Sequence, residues 1–411
     1  MLKNIEKLEN WKIEDLTNLV FFQEGPGVRN NQYTDSGVKL LNVANLKEGN
    51  IYLDNTDRYI SEEEAYGKYS HFLVDEGDLI IASSGIKVEY FDKKMGFAKK
   101  EHLPLCMNTS TIRFKALDDK ILDIKYFAYF LKSVYFKKQI GRLITGSAQL
   151  NFGPTHLKQI KVILPPIDTQ NRIVEVLDKA QSLIDKKKEQ IDLLDELVKS
   201  RFVEMFGDIS KNPKGWENKK LGKLGTVKSS KRVFVNELVE SGIPFYRGTE
   251  VGALSTGGKI EPTLFITKEH YEILKKSTGV PIIGDLLLPS ICPDGRIWIV
   301  NTEEEFYFKD GRVLWIHLEN GSINSVFLKY MLCEKFNRDY NKIASGTTFA
   351  ELKIFSLKDI DVILPPIELQ NEFAEFVTKT DSIRSKMEAS LSELEDNFNS
   401  LMQKAFKGEL F

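Results

Sequence analysis

The chain has 411 residues, 42% hydrophobic and 28% charged, a length and composition that fit two or three domains each able to bury a core. Its net charge of −2 excludes a uniformly basic polyanion binder. The three unclustered cysteines, Cys106, Cys292 and Cys333, fit a reducing compartment rather than a disulfide framework, and with no apolar run of membrane-spanning length and a charged opening decapeptide unlike a signal peptide, a cytoplasmic location is expected.

Residues 1–161 read as a first globular unit of mixed helix and strand. Trp11 to Leu16 opens it, and the apolar runs Lys39 to Val43 and Asp78 to Ala82 read as strands bounded by Gly and Asp. Asp123 to Ile140 is aromatic-rich at helical spacing, with Phe127 and Phe130 expected in the core. The turn Thr145-Gly-Ser-Ala-Gln-Leu-Asn151 follows it directly. Charge is unevenly spread: residues 1–85 hold 8 Lys and Arg against 15 Asp and Glu, residues 86–161 hold 15 against 6, and Ile124 to Ile167 contains no acidic residue at all. Such asymmetry fits a nucleic-acid face on a neutral protein.

Residues 162–208 open with Val162-Ile-Leu-Pro-Pro-Ile-Asp-Thr-Gln-Asn171 and continue as a helical pattern. Ile173, Leu177, Ala180, Ile184, Lys187, Ile191, Leu194, Val198, Arg201 and Met205 alternate spacings of four and three, the seam of a coiled coil. Pro165-Pro166 forbids extending the helix backwards, and Gly207 is placed to end it.

Residues 209–361 repeat the first unit's plan with sparse identity. Trp216 and Leu221 match Trp11 and Leu16 at an offset of 205, and Gly284-Asp-Leu286 matches Gly77-Asp-Leu79 at 207. Lys211 to Val235 carries eight basic residues and one acid, Glu217. Residues 362–411 then repeat the helical segment 200 positions on, from Val362-Ile-Leu-Pro-Pro-Ile-Glu-Leu-Gln-Asn371. Its seam is Phe373, Val377, Thr380, Arg384, Met387, Leu391, Leu394, Phe398, Leu401 and Ala405, with Gly408 as terminator. The polar flaws in the two seams fall at different layers, so the two helices are expected to pair with each other within one chain.

The ordered duplicate set (Leu-Pro-Pro-Ile-x-x-Gln-Asn before a long helix, Gly-Asp-Leu in each half, a Gly-Ser/Thr turn ahead of each Pro-Pro) resembles the DNA-specificity subunits of Type I restriction–modification enzymes over almost the whole chain. The resemblance implies an α+β fold with two target-recognition domains (1–161 and 209–361) in pseudo-two-fold arrangement. A long antiparallel two-helix coiled coil, from the conserved regions 162–208 and 362–411, would separate them. It implies double-stranded DNA, two methyltransferase subunits and restriction/translocase subunits as partners. S-adenosylmethionine, ATP and Mg would then belong to those partners, and this chain would carry no cofactor or metal. Phe349 departs from the family, which often carries Gln there, as at Gln149.

Base reading favours Arg for guanine and Asn or Gln for adenine, while Lys, Ser and Thr hold phosphates. On those grounds the first-unit candidates are Arg142, Thr145, Ser147 and Gln149, with Lys137 and Lys138 for the backbone and Ser83, Ser84 and Lys87 after a strand end. The second-unit candidates are Lys228, Ser229, Lys231, Arg232, Arg247, Arg296, Thr347 and Thr348. If each unit reads one half-site, the target is bipartite and asymmetric with an unread spacer.

Catalysis by this chain finds no support. There is no Asn/Asp-Pro-Pro-Tyr/Phe signature and no Gly-x-Gly-x-x-Gly turn. Gly257-Gly-Lys-Ile260 lacks the earlier glycine and the Ser/Thr of a phosphate loop, Pro293-Asp294 lacks the following acidic-x-Lys of a nuclease, and the five histidines show no metal-ligand spacing. The alternative is a non-catalytic coiled-coil scaffold that binds protein partners only.

Overall fold

The computed structural model describes residues 10–54, 56–144, 150–319, 321–346 and 350–411. They form two compact units, Met1–Lys188 with Ser390–Phe411, and Glu189–Ala389. The division falls within each long helix, so each unit holds the start of one and the end of the other. The fold is α+β.

The first unit is built on a four-stranded antiparallel sheet in the order Val20–Glu24, Thr111–Ala116, Leu79–Ala82, Met95–Phe97. Beside it a three-stranded sheet runs Leu105–Met107, Val38–Leu41, Tyr59–Ile60, its first pair parallel and its second antiparallel. Lys12–Asp15 pairs antiparallel with Lys161–Leu164, which ties the unit's opening segment to the residues just ahead of Pro165. All four residues of Leu79–Ala82 are buried, as a central strand covered on both faces requires.

The second unit repeats this plan. Its four-stranded antiparallel sheet runs Gly225–Lys228, Val313–Leu318, Leu286–Pro289, Trp298–Ile299. Its three-stranded sheet runs Phe265–Ile266, Ile243–Tyr246, Tyr307–Phe308, and Glu217–Lys220 pairs with Asp361–Leu364.

The helix expected over 123–140 is two helices, Ile124–Lys132 and Val134–Leu143. Ser133 breaks it with extended backbone, and its hydroxyl accepts the Phe136 amide to cap the second piece. The second unit's counterpart, Ser325–Ile343, has no such serine and runs unbroken for 19 residues. Phe127 and Phe130 are fully buried, as expected.

The long helices are Ile167–Phe206 and Ile367–Lys407. Both start directly after Pro-Pro and stop at glycines in the left-handed region, Gly207 (φ 80°) and Gly408 (φ 71°), where a Cβ would be strained. None of the twenty seam positions is exposed. Within the first unit Arg172 lies over the Phe411 ring and Lys188 pairs with Glu395 at 2.9 Å. Within the second, Asp195 meets Arg384 and Phe202 packs on Phe373. Partner numbers fall on one helix as they rise on the other, so the pairing is antiparallel.

Three of the four polar flaws are answered locally. Arg201 bridges Glu204 and Glu372 and lies over Phe376, Arg384 takes Asp195, and buried Thr380 donates to the Phe376 carbonyl. The end of each long helix plugs a unit's core. Phe406 sits against Tyr126 and Phe130, and Phe206 sits 4.7 Å from Phe327 between ring centroids. Among the described residues no helix is long and apolar enough to cross a membrane.

Candidate nucleic-acid interface

Each central sheet has two chemically different ends. At one end lie the duplicated motifs. The buried Asp78 of Gly-Asp-Leu accepts the Asp75 amide at 2.9 Å and faces Arg113 and Lys115 at 3.5 and 3.4 Å. Burial pushes its carboxyl up from the ordinary aspartate range, against the pull of the Asp75 amide and the two cations. Asp285 occupies the same place in the second unit, accepting the Ile282 amide and the Trp315 indole N–H, with His317 Nδ1 at 2.7 Å.

Next to each lies the glutamine of Pro-Pro-Ile-x-x-Gln. Gln170 and Gln370 are both 0% exposed. The Gln170 side chain donates to the carbonyls of Ile121 and Pro165 and accepts the amide of Asp123, the N-cap of the following helix. Gln370 does the same with Ser322, Pro365 and Asn324. The repeated glutamine is therefore an interior clip between a long helix and its unit, and it presents nothing to a partner.

At the other end of each sheet lie the segments that differ between the units. In the first, the strands Val20–Glu24 and Leu79–Ala82 finish there and Thr111–Ala116 begins. Ser84–Ile86 then pairs with Leu150–Asn151, Ser84 opposite Asn151. This brings the 83–87 candidates beside the end of the turn that follows Arg142. Lys87, Lys138 and Arg142 are exposed and Ser84 is half-buried. Lys137 is half-buried and pairs with Asp92 at 3.1 Å. Ser83 is different. It is 1% exposed, its amide donates to the Ser110 carbonyl, and its own carbonyl accepts the Phe152 amide. Ser290, 207 positions on, makes the same two backbone bonds with Arg312 and Leu352 and is equally buried. Ser83 is thus a junction inside the sheet end, with no face toward a ligand. Thr145, Ser147, Gln149, Thr347, Thr348 and Phe349 lie outside the described residues.

In the second unit the same end gathers loops from four parts of the chain. The Ser229 hydroxyl donates to the Val313 carbonyl and accepts the Gly311 amide. A Cβ on Gly248 would stand 3.3 Å from Pro289 and 3.6 Å from the Arg312 carbonyl, which sets Arg247 beside both. Arg296 lies over Gly252. Lys231, Arg232 and Arg247 are exposed, and Arg296 is half-buried. Three of these cations are held by carboxylates: Arg232 by Asp310 at 3.1 Å, Arg247 by Glu250 at 2.7 Å and Arg296 by Asp294 at 2.8 Å. Although burial opposes it, the Arg247 hydrogen bonds draw Glu250 down to about 2. Lys228 turns inward, donating to the Thr278 carbonyl at 2.9 Å with its ammonium 4.0 Å from the Trp315 ring centroid.

The basic-run argument passes over residues that share this end. Arg29, Asn30 and Asn31 are exposed on the loop after Val20–Glu24, and Arg312 is exposed and paired with Glu351. The internal repeat carries the signal for the first set. The Arg29 amide donates to Gln32 Oε1 and the Phe234 amide to Glu237 Oε2, the same turn at an offset of 205.

A family model described as Type I restriction modification DNA specificity domain matches residues 6–195 and 213–396. The chain is similar to the Type I restriction enzyme MjaVIII specificity subunit of Methanocaldococcus jannaschii, 29% identical over 191 residues, which are 45% of this chain and 43% of that protein. It is also similar to the Type I restriction enzyme EcoKI specificity subunit of Escherichia coli K12, 22% identical across 98% of this chain and 89% of that one. The chain thus spans less than half of the first relative and most of the second. In fold it resembles the Type I restriction–modification S subunit from M. genitalium, with a TM-score of 0.51 and 17% identity over 97% of each chain.

Proposed function

The chain belongs to the Type I restriction modification DNA specificity family, and from that premise we propose that it is the sequence-reading subunit of such a complex, each unit taking one half of a bipartite, asymmetric duplex target. The helix pair sets the unread spacer and docks two methyltransferase subunits. A helix of 40 residues is about 60 Å long, against roughly 34 Å for one duplex turn. The reading makes this chain non-catalytic and cytoplasmic. S-adenosylmethionine, ATP and Mg would serve the methyltransferase and the restriction/translocase subunits. Adenine methylation or restriction would follow wherever both half-sites are read.

One observation supports the reading above all. Two units of one strand plan share the glutamine clip and the backbone bond to a buried aspartate at their motif ends, while their opposite ends carry unlike, cation-rich loops. That division is expected of a reader with two different half-words. In the first unit the motif end is also acidic, with Asp75, Glu76, Asp78, Asp118, Asp119 and Asp123, so phosphates would favour the loop end. Methylome sequencing of cells carrying the chain with its partner subunits tests the proposal. The expected result is a single split motif with unlike halves. A contiguous or palindromic motif, or no methylation dependent on this chain, refutes it.

A further inference from the structure

The loop after Gly225–Lys228 ends in an apolar point. Phe234 is 58% exposed and Val235 85% exposed, the latter the most exposed of the large apolar side chains described. Exposed apolar side chains occur singly on any surface, but this pair stands on a braced stem. The Phe234 amide donates to Glu237 Oε2 at 2.7 Å, and the Phe234 carbonyl accepts the Glu237 amide at 3.0 Å. Val233 on one side and Leu238 on the other pack into the cluster of Phe245, Ile266, Tyr271, Leu274 and Tyr307. The Ser230 hydroxyl and Lys231 amide bond to the Phe308 carbonyl and the Tyr307 hydroxyl. The tip is held out while everything around it is tied in. Two exposed cations, Lys231 and Arg232, precede it, the second paired with Asp310 at 3.1 Å.

The first unit builds the same turn with other chemistry. Val28 and Tyr33 take the places of Val233 and Leu238, Gln32 closes the turn as Glu237 does, and the tip is Arg29 and Asn30. One scaffold thus presents hydrogen-bonding groups in one unit and bare hydrocarbon beside a pair of cations in the other. Apolar side chains beside cations are the chemistry that enters a base stack, where the hydrocarbon faces base rings and the cations face the backbone.

We propose that Phe234 and Val235 form a wedge that enters the base stack of duplex DNA at the half-site held by the second unit, while the matching Arg29–Asn30 tip leaves the other half-site stacked. This rests on the DNA-reading function above. The test uses the full chain assembled with its methyltransferase partners on a duplex carrying the methylated target. 2-Aminopurine is moved one position at a time through both half-sites. Apart from the adenines the methyltransferases flip out, which brighten in either half-site, wild type is expected to give a several-fold fluorescence rise at one step of the second half-site and none in the first. The double variant Phe234→Ser, Val235→Ser should abolish that rise while keeping its partners and its unfolding temperature. Its affinity falls about tenfold or less, because lost apolar contact is offset by restored stacking. Specific binding with no unstacked step, or a rise that persists in the double variant, overturns the wedge and leaves DNA reading intact. Loss of the partner subunits from the variant assigns the tip to a protein contact and overturns it too. A wild-type complex that binds no duplex removes the DNA reading itself, and the wedge with it.

Discussion

Replacing Gln170 by glutamate is a near-isosteric change of one atom, and the structure sets its cost. The side-chain nitrogen of Gln170 donates to two carbonyls, Ile121 at 2.8 Å and Pro165 at 2.9 Å, while its oxygen accepts the Asp123 amide at 2.9 Å. In Gln170→Glu one carboxyl oxygen still accepts from Asp123. The other faces two carbonyl oxygens, so the ionised form is repelled on both sides in a site with no solvent exposure. The protonated form can satisfy one of the two carbonyls. Holding a glutamic acid neutral at pH 7, against an ordinary value near 4.3, costs about 3–4 kcal/mol at about 1.36 kcal/mol per pH unit. The folded value is raised above the unfolded one, so the penalty is full at high pH and shrinks as pH falls toward 4.3. About 1 kcal/mol should remain at pH 4.5 for the carbonyl left without a donor. Gln170→Ala should instead cost about 2–4 kcal/mol independently of pH, from the orphaned Asp123 amide and the small void.

Hydrogen exchange in the helix Ile124–Lys132 is the assay, since it scores the first unit alone where a global melt of two units would mix them. A Gln170→Glu deficit relative to wild type that does not change between pH 7 and 4.5 would show that the amide does not hold the two carbonyls. The clip argument would then fail.

Asp285→Ala should cost the second unit about 2–4 kcal/mol by orphaning the Trp315 indole and the Ile282 amide, read by urea unfolding followed by tryptophan fluorescence; a loss under about 1 kcal/mol would mean water replaces the carboxylate. Arg142→Ala should weaken binding to the cognate duplex by about 1–3 kcal/mol if the guanidinium reads a base, whereas Ser83→Ala should leave the recognised sequence unchanged; a changed methylation motif in Ser83→Ala would contradict its interior position. Asn30→Ala should relax discrimination at one base of the first half-site by about 1–3 kcal/mol and leave the second half-site alone, measured by competition among single-base-changed duplexes.

How much of this was legible in the sequence differs by element. The long helices were readable in place and extent because a 3.5-residue seam, Pro-Pro and a terminal glycine are all local signals. The break at Ser133 was not, because nothing in Leu131-Lys-Ser-Val134 distinguishes a mid-helix serine from a capping one until the second helix has somewhere to pack. The sheets were visible as apolar runs but not as pairings: Leu79–Ala82 lies between Thr111–Ala116 and Met95–Phe97 through contacts far apart in the chain. Among the site candidates, reading by residue type put Ser83 and Lys228 on a face where the sheet end turns them inward. It passed over Arg29 and Asn30, which are exposed at the loop end, because they sit outside any basic run. The offset of 205 that joins Gln32 to Glu237 was available, but only the turn's hydrogen bonds give it meaning.

The pairing of like and unlike ends also explains why the repeat keeps strict step in some places and drifts in others. Gln170 and Gln370 are exactly 200 apart and each bonds a helix N-cap, Asp123 or Asn324, so the clip fixes the geometry between a long helix and its unit. An insertion there would break three hydrogen bonds with no solvent to replace them. The offsets of 205 and 207 are carried by like elements, Lys12–Asp15 against Glu217–Lys220 and Asp78 against Asp285, so the length changes fall in the segments between them, and in a solvent-facing loop an added residue costs little. Length drift therefore falls between the paired strands and the clip, where it leaves what holds the unit together unchanged. A fold divided in this way can change the loops at one end of a unit while its clip, its sheet and its long-helix seam stay as they are.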